Sequence, residues 1–303
     1  MRRIILLLIL IPAIAFAEIT RKIVKNSDGT KQIVFYSEGK EIAKEIMDKD
    51  SNVIKTIGEI PNGIVKEYYE IGKLKVEQNF KNGKQEGIFK EYYESGKLKK
   101  EGNYKNDRLE GILKEYYEDE ALKGVWNYKD GKLEGINKRY YKSGKLLIEG
   151  NFKDGKPEGI SKRYYESGKL WVEGNYKDGK LEGINKRYYE SGKLKLEGNY
   201  KDGKLESISK RYYESGKLWV EGNFKDGKLE GIVKHYHENG KLKLEENYKN
   251  DILEGINKHY YEDGRIKLIE TYINGKKTNR KEYDERGNLK FEQDYPSEEK
   301  DGK

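Results

Sequence analysis

Residue types that commonly do chemistry are scarce in this 303-residue chain, with the exception of carboxylates. The chain has no cysteine, which excludes disulfides and thiolate zinc sites. It also lacks a Gly-x-Ser-x-Gly motif and a phosphate-loop motif. Two carboxylates could act as the acid and base of a glycosidase, but equivalents of Glu166, Glu173 and Glu182 recur in nearly every segment, whereas an active site should be singular. The sequence therefore predicts no enzyme activity and no cofactor.

The three histidines, His235, His237 and His259, are poor candidates for a metal site. His235 and His259 are 24 residues apart, at equivalent positions of a repeated pattern. In the sheet predicted below, such positions are two strands, or roughly 10 Å, apart, whereas ligand nitrogens must lie about 2 Å from the ion. His237 replaces a tyrosine of the pattern and is most simply a substitution. We expect no metal.

One position of the pattern changes its charge along the chain, and it is the position just before a tyrosine pair. It is glutamate, then arginine, then histidine: Glu67, Glu91, Glu115, Arg139, Arg163, Arg187, Arg211, His235 and His259. One interpretation is a binding face on which the four arginines meet an acidic partner. The other is drift of a solvated position during duplication. We take Arg139, Arg163, Arg187 and Arg211 as candidate partner-binding residues.

Trp171 and Trp219 are the second unusual feature, at a position that is lysine in most other segments. Strand alternation predicts that they lie on the face opposite Leu194 and Leu196. Exposed aromatic residues beside arginines are common in binding hot spots, so both are candidates for contact with a protein or a glycan. Packing against neighbouring aliphatic stems is the alternative.

The elements that position these residues follow from a repeat of 24 residues. One copy, residues 183–206, contains two strands separated by the turn sequences Ser-Gly and Asp-Gly, which accept positive φ. We predict an all-β fold: an elongated, single-layer, twisted antiparallel β-meander of about nine 24-residue β-hairpins. Two registers remain open, because a two-residue loop pairs Tyr189 with Leu194 and a three-residue loop pairs Tyr188 with it.

The chain begins with the features of an export signal. Arg2 and Arg3 precede an apolar run from Ile4 to Ile14, and a small-x-small sequence ends at Ala17. The run is too short to span a bilayer comfortably. We expect residues 1–17 to be a signal peptide and the mature chain to be exported to the periplasm, the cell surface or the medium, without stable membrane insertion.

The rest of the chain divides by the regularity of the repeat. We predict degenerate capping repeats at 18–62, the regular array at 63–278, a degenerate hairpin at 279–295 and a disordered tail at 296–303. Lysine and glutamate are interleaved, so the net charge of +8 forms no concentrated basic stripe and nucleic-acid binding is not expected. The sequence carries no signal for oligomeric state.

The recurring Tyr-Tyr-x-x-Gly-Lys-Leu and Gly-Asn-Tyr-Lys-Asp-Gly-Lys units, over about residues 64–275, resemble the divergent bacterial variant of MORN repeats. The resemblance implies a sheet of β-hairpins that serves as a protein-interaction scaffold. Some members of that class are antitoxin-like or immunity proteins, which gives an exported immunity protein as an alternative. A protein that binds or acts on envelope polysaccharide is a third hypothesis, based on the carboxylates and the tryptophans.

Overall fold

The structure is a computed structural model that describes residues 17–296. Residues 1–16 of the expected signal peptide lie outside the described residues, as do residues 297–303 of the expected tail. The described part contains 28 β-strands and no helix, so none of its segments is a helix long and apolar enough to cross a membrane. The all-β prediction is confirmed.

The described residues form two compact units that divide between Glu120 and Ala121. The strands of the first unit are β1 Ile19–Lys25, β2 Lys31–Ser37, β3 Lys40–Met47, β4 Val53–Gly58, β5 Gly63–Tyr68, β6 Leu74–Lys81, β7 Lys84–Tyr92, β8 Leu98–Lys105, β9 Arg108–Leu109 and β10 Gly111–Tyr116.

The strands of the second unit are β11 Leu122–Lys129, β12 Lys132–Leu133, β13 Gly135–Tyr140, β14 Leu146–Lys153, β15 Lys156–Tyr164, β16 Leu170–Lys177, β17 Lys180–Leu181, β18 Gly183–Tyr188, β19 Leu194–Lys201, β20 Lys204–Tyr212, β21 Leu218–Lys225, β22 Lys228–Tyr236, β23 Leu242–Lys249, β24 Ile252–Leu253, β25 Gly255–Tyr260, β26 Ile266–Ile273, β27 Lys276–Tyr283 and β28 Leu289–Asp294.

The first unit contains the one apolar core among the described residues, and an unusual strand order builds it. β1 pairs with β2 on one side and, in parallel, with β5 on the other. The order β2, β1, β5, β6 would place β2 roughly 14 Å from β6 in a flat sheet. The rings of Phe35 on β2 and Phe80 on β6 are nevertheless 5.7 Å apart. The sheet therefore curls here, and the N-terminal strands cover the edge of β5.

In the hairpins of the second unit, the loop after the tyrosine pair has three residues. The amide of Tyr189 donates to the carbonyl of Lys193 at 2.8 Å, and Tyr188 is the partner of Leu194. Arg187 pairs with Leu196, so Lys195 is an extra residue without a partner, which makes a β-bulge. The three-residue alternative is correct, and strand alternation fails at Lys195.

The other end of most hairpins is held by a glutamate from the preceding hairpin. Glu182 accepts a hydrogen bond from the amide of Asp202 at 3.0 Å, and Asp202 opens the turn with φ of 51°. Six further side chains accept equivalent bonds from turn amides, namely Glu86, Glu134, Glu158, Glu206, Glu230 and Glu254. The recurring Leu-Glu-Gly glutamate is therefore part of the fold.

Within each unit, the second tyrosine of a pair links one hairpin to the next. Tyr189 donates from its hydroxyl to the carbonyl of Tyr212 at 2.8 Å, and we call this series of bonds the tyrosine ladder. The other donors are Tyr69 and Tyr93 in the first unit and Tyr141, Tyr165, Tyr213 and Tyr261 in the second. His237 takes the donor's place in one repeat, and its Nε2 is buried without a partner.

Restoring the missing donor should stabilise the fold. We expect His237→Tyr to add about 1 kcal/mol, the usual net value of one hydrogen bond, and to raise the melting temperature by about 2 to 4 °C. His237→Phe is the control, because it supplies a ring but no hydroxyl. Equal melting temperatures for the two variants would contradict the assigned role of the hydroxyl.

Candidate functional site

The four candidate arginines lie in one row across the second unit, and all are exposed. Each has an aliphatic residue directly opposite on the neighbouring strand; Arg187, for instance, lies between Val172 and Leu196. Arginines and aliphatic residues therefore alternate from strand to strand: Arg139, Ile148, Arg163, Val172, Arg187, Leu196, Arg211 and Val220. We call this row the arginine strip. Such an arrangement lets the arginine stems cover apolar surface while the guanidinium groups stay in water.

In several repeats where this position is not arginine, its side chain is paired within the protein. In the first unit, Lys75 lies 2.7 Å from Glu67 and Lys99 lies 2.6 Å from Glu91. In the second unit, His235 lies 3.4 Å from Glu246. The hydrogen bond from His235 lowers the pKa of Glu246, so that carboxylate is charged at neutral pH.

The arginine strip has no such partners. Among residues 17–296, none of its four guanidinium groups forms an ion pair or a side-chain hydrogen bond. Glu246, which pairs with His235, stands where the repeats with arginine have a small residue such as Gly198 or Gly222. The repeats that have arginine therefore have no acidic residue at the position of Glu246. The strip is therefore a row of unneutralised positive charges flanked by apolar side chains.

Trp171 and Trp219 each contact the second tyrosine of their own hairpin. The ring centroids are 5.8 Å apart for Tyr165 and Trp171 and 5.9 Å apart for Tyr213 and Trp219. In an equivalent hairpin the ammonium of Lys195 lies 5.1 Å from the ring of Tyr189. The tryptophans are 40% and 42% exposed. Packing on the tyrosine ring thus accounts for the side chain at this position. The outer surface of each indole remains exposed to solvent.

The expectation that the tryptophans lie on the face opposite Leu194 and Leu196 is wrong for the position of Leu196. It assumed unbroken alternation, but Trp171 is the extra residue of a bulge, since Arg163 pairs with Val172 and Tyr164 with Leu170. At the same bulge position in the first unit, Lys75 reaches Glu67, which lies opposite Val76. The bulge therefore directs this position towards the row that contains the arginine strip.

Among the carboxylates that suggested a glycosidase, Glu173 and its equivalents bind tyrosines of the fold. Glu173, Glu197 and Glu221 accept hydrogen bonds from tyrosine hydroxyls at 2.9, 3.0 and 2.8 Å. Burial and these bonds raise the pKa of the donors to about 12: Tyr188, Tyr212 and Tyr236. No group of three or more potential metal ligands occurs among residues 17–296.

Sequence reasoning missed two features of the second unit. The first is a row of isoleucines that are 46% to 62% exposed: Ile136, Ile160, Ile184, Ile208, Ile232 and Ile256. The pattern Gly-Ile-x-Lys-Arg contained the signal, because alternation places each isoleucine on the face opposite the arginine. The second is a cavity of about 270 Å³ bordered by Trp126, Arg139, Gly150, Pro157 and Arg163. The sequence signal was the isolated Pro157.

These features define a β-hairpin repeat protein: successive hairpins, tyrosines that link them, and no distinctive catalytic cluster among the described residues. The model of the MORN repeat variant matches nine consecutive segments, at residues 61–82, 85–106, 109–130, 133–154, 157–178, 181–202, 205–226, 229–250 and 253–274. The chain belongs to this family, and the resemblance noted in the sequence is confirmed. No curated protein matches the chain.

The tyrosine–carboxylate bonds predict a pH dependence of stability. A phenol whose pKa is raised in the folded state stabilises the fold below the unfolded pKa of about 10. This contribution is lost as the pH rises from about 10 through the folded value, which is about 12 for Tyr188, Tyr212 and Tyr236. We compare the wild type with the triple Tyr→Phe variant at these positions. Its deficit in melting temperature at pH 8 should shrink at pH 11, and an unchanged deficit would contradict the assignment.

Proposed function

We propose that this chain is an exported, non-catalytic scaffold that binds an acidic protein partner through the arginine strip. The observation that carries the proposal is the row of four exposed guanidinium groups without internal partners. Elsewhere at the same repeat position, Glu67 and Glu91 pair with lysines, and His235 lies 3.4 Å from Glu246. An external carboxylate is the natural partner, because Arg presents a fork of donors that matches carboxylate geometry.

The neighbours of the strip favour a protein over a free ion. The aliphatic residues between the arginines are half-buried, and the indoles of Trp171 and Trp219 keep exposed surface at the bulges. Tryptophan and arginine are enriched among residues that dominate binding energies at protein interfaces. A partner with acidic side chains separated by apolar ones would match the alternation along the strip.

The recurrent glutamates weigh against catalysis. Glu182 and its equivalents accept backbone amides of turns, and Glu173 and its equivalents accept tyrosine hydroxyls. The repetition of these two glutamates follows from these structural bonds. A catalytic acid would instead need an environment that sets it apart and shifts its pKa. A binding role makes no such demand on any single carboxylate.

The first binding experiment exploits the Lys-Arg dipeptides, in which successive side chains point to opposite faces. One variant replaces Arg139, Arg163, Arg187 and Arg211 with glutamine. The matched control replaces Lys138, Lys162, Lys186 and Lys210, so that both variants lose the same charge from the same strands. The probe is a fluorescein-labelled decapeptide of alternating glutamate and leucine. The arginine variant should bind it more weakly, by about fourfold or more, since four exposed pairs at about 0.2 to 1 kcal/mol each contribute at least about 0.8 kcal/mol.

The lysine variant should retain affinity within about threefold of the wild type, because screening at 0.15 M salt limits the effect of distant charges. Equal losses in the two variants would show attraction by net charge alone and would contradict binding at the strip. Melting temperatures of both variants report whether either substitution set has damaged the fold.

Export is the second part of the proposal, supported by the basic and apolar N-terminal sequence. β1 begins at Ile19, so cleavage after Ala17 would leave every described strand intact. We expect the protein recovered outside the cytoplasm to begin at or near Glu18, as measured by N-terminal sequencing after fractionation. An uncleaved chain confined to the cytoplasm would refute this part. Ala15→Arg and Ala17→Arg together should block cleavage.

A further inference from the structure

The cavity beside Arg139 and Arg163 lies where several residues depart from the repeat, and the first of them is Pro157. Pro157 occupies a position that is leucine in the other repeats of the second unit, at Leu133, Leu181, Leu205, Leu229 and Leu253. Pro157 lies opposite Phe152 just as Leu205 lies opposite Tyr200. The two hairpins thus differ at this position while keeping the same register.

The equivalent hairpin shows what normally fills this space. A Cβ added to Gly198 would lie 2.8 Å from Cδ2 of Leu205 and 3.4 Å from the hydroxyl of Ser209. A Cβ added to Gly150 would meet Ser161 at 3.1 Å and Phe152 at 3.6 Å as its nearest neighbours. The leucine contact is therefore missing above Gly150, although the serine is retained. The position that Cδ2 of Leu205 occupies beside Gly198 is therefore open beside Gly150.

Trp126 forms another wall of the cavity. It stands at the repeat position of Gly150 in its own hairpin, while Gly124 replaces the aliphatic residue at the position of Ile148. The indole lies over this glycine, because a Cβ on Gly124 would be 2.3 Å from Cη2 of Trp126. Gly124 is directly opposite Arg139. A rigid aromatic surface is thereby placed beside the first guanidinium of the strip.

Two positively charged side chains lie at the opening of the cavity. Arg139 and Arg163 both border the cavity and both lie directly opposite Ile148. The cavity volume of about 270 Å³ is below the roughly 300 to 1,000 Å³ of pockets for drug-sized ligands. It is suited to one side chain, with carboxylates held at its rim.

We propose that this cavity is the anchor site for a leucine-type side chain of an extended acidic peptide segment, with flanking carboxylates on Arg139 and Arg163. This rests on the proposed function and specifies its partner. The occupant belongs to a peptide because the arginine strip continues beyond the cavity at Arg187 and Arg211. A leucine side chain of the partner would occupy the space that is open because this repeat has Pro157 in place of leucine.

The test uses two variants at one position and two probes. Pro157→Leu supplies the internal leucine and fills the cavity, whereas Pro157→Ala removes the proline but leaves the space open. The probes are fluorescein-labelled nonapeptides of alternating aspartate and glutamate, with either leucine or glycine at the centre. Burial of one leucine should make the wild type bind the leucine peptide about tenfold or more tightly than the glycine peptide.

Pro157→Ala should retain this preference, and Pro157→Leu should abolish it without lowering the melting temperature. No preference for leucine in the wild type, or an undiminished preference in Pro157→Leu, would overturn the anchor site. If the glycine peptide still binds and loses affinity when the four arginines are replaced, the proposed function survives that failure. If neither peptide binds, both proposals fail. N-acetyl-leucine that binds as tightly as the peptide would overturn the assignment to a peptide.

Discussion

The hydrogen bond from the second tyrosine of one hairpin to the backbone of the next is the interaction on which the regular repeats depend. Outside the N-terminal core, fully buried apolar side chains are few among the described residues. Cohesion must therefore come from contacts made again in each repeat. The ladder bonds are 2.7 to 2.8 Å long in both units. At about 1 kcal/mol each, they matter as a series rather than singly.

This constraint separates structural positions from those available for binding. The second tyrosine, the turn glycine and the turn-capping glutamate have partners in a neighbouring hairpin or turn, as Tyr189, Gly203 and Glu182 show. Asn247 likewise donates to the carbonyl of Ile256 at 2.8 Å. Even Glu120, which replaces a turn glycine, keeps a positive φ of 70°. What remains free to vary is the row before the tyrosine pair and the bulge residue beside it.

The sequence was sufficient to predict what depends on local rules. Glycine and aspartate spacing located the turns, and alternation identified the strands and the arginine row. The bulges could not be predicted from those rules. Tyr188 pairs with Leu194 and Arg187 with Leu196, so Lys195 between them has no partner. No local sequence preference identifies Lys195 as the bulge residue. The parallel pairing of β1 with β5 joins segments far apart in sequence, so it depends on the burial of Phe35 and Phe80. The role of Glu182 was hidden because its partner is 20 residues away.

The same logic explains how a repeat protein can form a site without dedicated catalytic or ligand-binding machinery. Every hairpin packs equivalent side chains against its neighbours. A candidate site therefore arises where one hairpin lacks a side chain or a counter-charge that the others have. At Gly150 the leucine is missing, and at Arg139 and Arg163 the counter-charge is missing. Unfilled apolar space and unpaired charge both lower stability, by cavity formation and by like-charge repulsion. Both costs occur side by side in the same two hairpins, which is where the proposed partner would remove them together.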